Sequence, residues 1–117
     1  MNFNKYIEYL IKIICIFIKI FLLLYSIMDI TKYLVEFIGT FIFLSVILSQ
    51  GKPIPIAIAL LGVIYFGGHI SGGNFNPAVS TMMYLKDSLS INDLMFYIVA
   101  QILGGITALK FYNTVSK

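Results

Sequence analysis

The sequence predicts an all-α membrane protein. Three observations carry that expectation. Hydrophobic residues make up 60% of the 117-residue chain, only 11% are charged, and the apolar residues fall in long runs with short polar breaks between them. A soluble domain needs more polar surface over its core than this composition supplies. The mean hydropathy of +0.97 points to a solvent that is mostly lipid. An apolar helix of about 20 residues crosses the bilayer core, so the chain has room for about three or four such helices. The formal charge is +3, and every basic residue is a lysine, at positions 5, 12, 19, 32, 52, 86, 110 and 117. They are scattered and form no basic patch for nucleic acid. Cys15 stands alone, which excludes a disulfide framework or multi-cysteine metal site within the sequence, and it reads as a small apolar side chain in a membrane helix.

Taken in order, residues 1–28 form an N-terminal hydrophobic or amphipathic helix, with the remainder, 29–117, as a second domain. At 100° per residue, Lys5, Glu8, Lys12, Lys19 and Ser26 fall near one face of the first helix, and the other faces are apolar. It fits an interfacial or anchoring helix better than a spanning one. Lysines interrupt the apolar run and no small-residue cleavage site follows clearly, which disfavours a cleaved signal peptide. Met28-Asp29 breaks the pattern, and Asp29 or Thr31 can cap the next helix, about 31–49. Met28 is also a candidate alternative start. Ser49-Gln50-Gly51-Lys52-Pro53 is the first clear turn. Pro53 and Pro55 suit the opening of a second helix, about 53–66, because proline loses little in a first turn.

Residues 67–76 then read as irregular backbone. Gly67, Gly68, Gly72 and Gly73 crowd this stretch. Pro77 stands where a new helix should begin, and residues 77–85 are too short to span at about 1.5 Å per residue. After Lys86-Asp87-Ser88 a final helix covers about 92–113, with Gln101 and the packing pair Gly104-Gly105 inside it.

A glycine-rich loop and a half-helix between two spans suggest a re-entrant pore element. Irregular backbone at membrane depth is tolerated only where it is buried in protein or lines a water-filled cavity. Asn76 is placed to cap the half-helix and offers two amide donors. The helix N-terminus adds about half a positive charge. Together they favour a water or alcohol oxygen and disfavour cations. The carbonyls of Gly68, His69, Ile70, Ser71, Gly72, Gly73 and Asn74 supply a ladder of acceptors. Glu36 could be an intramembrane ion or proton site, or a support for this loop, and the second reading is preferred. His69 could be a proton-linked gate; a structural hydrogen bond in the loop is the simpler reading. No nucleophile with a base, metal cluster or phosphate loop points to an enzyme, and no cofactor is expected.

The run Gly68-His69-Ile70-Ser71-Gly72-Gly73-Asn74-Phe75-Asn76-Pro77-Ala78-Val79 resembles the first pore loop of the major intrinsic protein (aquaporin and aquaglyceroporin) family. Glu36 in Glu-Phe-Ile-Gly-Thr-Phe resembles the glutamate of that family's first helix, and Gln101 in Ala-Gln-Ile-Leu-Gly-Gly the glutamine of its third. The resemblance covers about residues 31–115. It implies the family's N-terminal half: three transmembrane helices and a re-entrant half-helix, here with an extra N-terminal helix. It also implies that Asn76-Pro77-Ala78 is a pore motif, with Glu36 and Gln101 hydrogen-bonding the loop.

Three departures stand out. One pore motif is present where the family has two. No arginine exists for the family's selectivity filter, and Val79 follows Ala78. Asn74 stands where close relatives usually carry histidine. The family's aromatic filter position falls at Ile56, which leaves that face wider and less polar.

The expected function is a component of a passive channel in the lipid bilayer for water or small neutral solutes such as glycerol. It would be completed by homo-oligomerisation or a partner half-channel. Two oppositely inserted copies would bring two Asn76 residues together at mid-membrane. Lys32 and Lys86 fall on one expected side, and Lys52, Lys110 and Lys117 on the other, which is a weak orientation bias; Lys5, Lys12 and Lys19 would strengthen an inside bias if the first helix lies there. The alternative is a non-conducting, truncated relative acting as a modulator or scaffold, or a gene fragment. A sequence closing at Lys117, directly after the third span, suits either reading.

Overall fold

A computed structural model describes residues 2–117. The described residues form helices and connecting turns, with no strand among them. The helices are α1 (Phe3–Gln50), α2 (Pro53–Ser71), α3 (Pro77–Leu85) and α4 (Ile91–Val115). Two compact units divide the chain, Met1–Ile30 and Thr31–Lys117, and the boundary falls inside α1. In the first unit, every side chain from Asn2 to Met28 is exposed.

The expected break at Met28-Asp29 does not occur, because α1 continues through it. No proline or glycine precedes Gly39, so nothing in the local backbone forces a stop. The helix ends where Gly51 adopts a φ of +59°, a left-handed position that costs glycine little. Lys52 is then extended and Pro53 opens α2.

The expected end of α2 near Phe66 is also corrected. The helix runs on through Gly67, Gly68, His69 and Ile70 to Ser71. Gly67 serves close packing here rather than an irregular backbone. A Cβ at Gly67 would lie 2.7 Å from Val35 Cγ1 on α1. Only at Gly72 (φ +88°) and Gly73 (φ +69°) does the chain leave the helix.

At 9 residues, α3 is about 14 Å long and cannot cross a bilayer, whereas α2 at 19 residues reaches about 28 Å. The helices α1, α2 and α4 are each long and apolar enough to span. Ser90 caps α4 by accepting from Asp93 N at 3.1 Å.

The second unit buries a polar cluster beside a few apolar and aromatic side chains and is apolar on its outer surface. Glu36, Thr40, Ser71, Asn74, Ser80 and Gln101 are buried, while isoleucines, leucines and phenylalanines face outward. The buried face of α4 is Leu94, Tyr97, Gln101, Gly104 and Ala108, alternating at helical three- and four-residue spacing. Gly104 lets α4 approach α1 closely, since a Cβ there would stand 2.7 Å from the Phe37 carbonyl oxygen. At the beginning of α4, Asp93 accepts from Tyr33 Oη (2.7 Å) and pairs with Lys32 (2.9 Å). Both partners lie on α1, so this cluster ties the two helices together.

Candidate functional site

The site is built around Glu36, which is 0% exposed in the middle of an apolar helix. A lone carboxylate in such a place is costly unless it is well bonded. Four donors reach it. Oε1 accepts from Ser71 Oγ at 2.7 Å and from the Asn74 backbone N–H at 3.0 Å. Oε2 accepts from the Phe75 N–H at 2.6 Å and from Gln101 Nε2 at 2.9 Å. A carboxylate has about four lone-pair sites, so these donors fill its capacity.

Those bonds fix the chain's turn from α2 into α3. Ser71 Oγ also accepts from Gly73 N–H at 3.1 Å, and Tyr97 Oη donates to the Ser71 carbonyl. Phe75 takes a φ of +48°, a left-handed conformation unusual for a bulky residue. Its N–H is held by Glu36 and its ring is buried at 2% exposure. Gly39 makes room for that ring, because a Cβ there would run into it, and Gly67 lets the ring lie close against α2, where a Cβ would stand 3.2 Å from it.

Ser80 joins the loop to α3. It is 0% exposed, and its Oγ accepts from Gln101 Nε2 at 2.8 Å and from Asn74 Nδ2 at 3.1 Å. Gln101 therefore reaches Glu36 and Ser80 with the same amide nitrogen.

At the end of this support stands Asn76. It is exposed, extended and at the N-cap of α3. Its Oδ1 accepts from Ala78 N–H at 2.8 Å. That bond orients the amide, and among the described residues Nδ2 has no partner. Pro77 occupies the first helical position, where its missing N–H costs nothing. The open donors and the helix N-terminus together suit a neutral oxygen ligand.

The expected acceptor ladder is shorter than the sequence suggested. The Gly68 carbonyl is taken by Gly72 N–H at 2.8 Å, and that of Ser71 by Tyr97. The carbonyls of His69 and Ile70, in the last turn of α2, receive no backbone bond among the described residues. His69 itself is exposed, and its side chain makes no hydrogen bond among those residues, so the expected structural bond is not formed. Ile56 is in the first turn of α2, its N–H donating to the Lys52 carbonyl. About 21 Å of helix separates it from Ile70.

An apolar groove of about 420 Å³ opens between α1 and α2, with Val35, Ile42, Val63, Ile70 and Phe75 among its walls. Three contributors to the site were not singled out from the sequence. Ser80 had a visible signal, a hydroxyl within a short apolar helix. Tyr97 lies one turn before Gln101 on the same face of α4. Phe75 had none, since its conformation follows from Glu36 and from the two glycines that admit its ring.

A family model described as Major intrinsic protein matches residues 23–117. Glycerol uptake facilitator protein-like 6 of Lactiplantibacillus plantarum is 42% identical over 87 residues, covering 66% of this chain and 40% of the relative. Aquaporin Z of Photorhabdus laumondii is 32% identical over 92 residues, with the same two shares. Human Aquaporin-4 is 39% identical over 90 residues, covering 61% of this chain and 27% of the relative. The chain thus spans well under half the length of these curated relatives. No solved structure gives a significant match.

Proposed function

The chain belongs to the major intrinsic protein family, and from that premise we propose that it is a component of a membrane channel for water or small neutral solutes such as glycerol. The observation that carries this reading is the exposed Asn76 amide at the N-terminus of a half-helix, held there by a buried carboxylate. Asn76 offers donors, and the last-turn carbonyls of His69 and Ile70 with the loop carbonyls beyond offer acceptors. A solute oxygen can exchange its water partners for these groups as it passes. Cations are disfavoured at the positive end of α3. The relatives named for glycerol uptake and as aquaporins are consistent with such a solute class.

These residues supply one half-helix, and a closed conduit takes a second. It comes from a second copy inserted in the opposite orientation or from a partner half-channel. The groove between α1 and α2 supports such completion, since it is apolar and open. Glu36 and Gln101 act as loop supports, and the reading is of a conduit rather than an enzyme.

Osmotic swelling of proteoliposomes tests the proposal. The wild-type chain is expected to raise water or glycerol permeability above that of empty vesicles. The Asn76→Asp variant keeps a capping oxygen but loses both amide donors and adds a charge, and is expected to abolish the increase. Equal permeability of wild type and empty vesicles at verified protein loading would rule out a conduit built from copies of this chain alone and leave only the partner half-channel.

A further inference from the structure

The first unit holds a pattern that the channel reading does not use. Lys5, Glu8, Lys12, Cys15, Lys19, Leu22 and Ser26 follow one another at alternating three- and four-residue spacing. That is the 3.5-residue period of a helix seam. At 100° per residue these positions share an arc of about 100°. The rest of the helix from Phe3 to Met28 is almost wholly isoleucine, leucine, phenylalanine and tyrosine, and all of it is exposed. An interfacial helix has a broad polar face and is only modestly apolar as a whole. This one has a narrow polar stripe, and the most apolar stretch of α1, near the N-terminus, has a mean hydropathy of 2.5. Three sides therefore suit lipid, and the stripe needs a polar counterpart, as intramembrane charges do. Among the described residues, no hydrogen bond or ion pair engages the side chains of Lys5, Glu8, Lys12 or Lys19.

The charges on the stripe select the counterpart. A parallel second copy in register would set each lysine against the same lysine and Glu8 against Glu8. An antiparallel copy sets Glu8 of each chain against Lys19 of the other. Lys12 then faces Cys15, and Lys5 faces Leu22 near the end of the seam, where a long side chain reaches water. We propose that residues 3–26 pair antiparallel with the same segment of a second copy, joined by two reciprocal Glu8–Lys19 ion pairs. The pairing rests on membrane placement and does not depend on conduction. If the paired segments span, the two copies are inserted in opposite orientations, which is one of the routes to a complete conduit.

The test is the dimer dissociation constant of the full chain, measured by sedimentation equilibrium in density-matched detergent. Glu8→Lys and Lys19→Glu are each expected to weaken the dimer by about tenfold or more, and the double exchange to restore most of the loss. A monomeric wild type, variants that associate like wild type, or a double exchange that fails to restore pairing would each overturn the proposal. The last two also cover Glu8 satisfied within its own helix by Lys12, and association through the second unit. Orientation is read by mild oxidation of a Cys15→Ser, Ser26→Cys double variant. In the antiparallel register the two cysteines at position 26 lie about 38 Å apart along the axis, far beyond disulfide reach, whereas a parallel register sets them face to face. No disulfide dimer is expected. Ready crosslinking at this position would overturn the antiparallel arrangement in favour of a parallel one.

Discussion

Glu36 and Lys12 both interrupt runs of isoleucine, leucine and phenylalanine, yet their surroundings differ. Glu36 belongs to Thr31–Lys117 and is fully buried, with donors arriving from the end of α2, the following loop and α4. Lys12 belongs to Met1–Ile30 and is exposed, in line with other polar residues of one helix. In the second unit the polar groups come from separate elements, converge and bond one another. In the first they come from one element at a regular spacing and are left outward. Convergence makes a rigid support for a loop. Regular spacing makes a seam that another helix can read.

If the contrast is correct, substitutions should hurt most where the groups converge. Glu36→Gln is expected to have the largest effect, about 3 kcal/mol or more, because hydrogen bonds to a charged group are weakened and a buried donor is left without an acceptor. The new amide would turn its own N–H groups toward the donors of Asn74 or Phe75 and leave them unpaired. Thermal unfolding in detergent, compared with wild type, measures the loss. Ser80→Ala removes the shared acceptor of Gln101 and Asn74 and is expected to cost about 1–3 kcal/mol in the same assay. Gly104→Ala tests packing beside the network. Its methyl group would press on the Phe37 carbonyl, and a loss of about 1–3 kcal/mol is expected. A loss for Ser80→Ala larger than for Glu36→Gln would invert the order and move the centre of the network from α1 to α3.

The sequence made parts of this arrangement legible and concealed others for physical reasons. Glu36, Asn76 and Gln101 stood out because each is polar within an apolar or glycine-rich setting, and because their order resembles a known family. The course of α2 was hidden. Gly67 and Gly68 read as loop, but the helix keeps them, and Gly67 admits Val35 and the ring of Phe75. A glycine that permits close approach and one that permits a left-handed turn look the same in one dimension. The Phe75 conformation was equally hidden, since it depends on a carboxylate from α1, far away in sequence. The expected break at Met28-Asp29 failed because neither residue forbids a helix, and a polar residue in an apolar run is weak punctuation by itself. The turn at Gly51, by contrast, was readable from local chemistry, with glycine and proline acting together.

Glu36 holds the loop in the conformation that turns Asn76 outward, and backbone amide exchange, followed residue by residue in detergent micelles, puts this to the test. In the wild type the Asn74 and Phe75 amides, which lie outside any helix, should be protected about as well as those within α4. In Glu36→Gln they should exchange on the order of tenfold faster or more, one factor of ten for each 1.4 kcal/mol of lost protection, with α4 itself much less affected. If these two amides exchange as fast in the wild type as in the variant, Glu36 does not hold the loop and the account of the site is wrong.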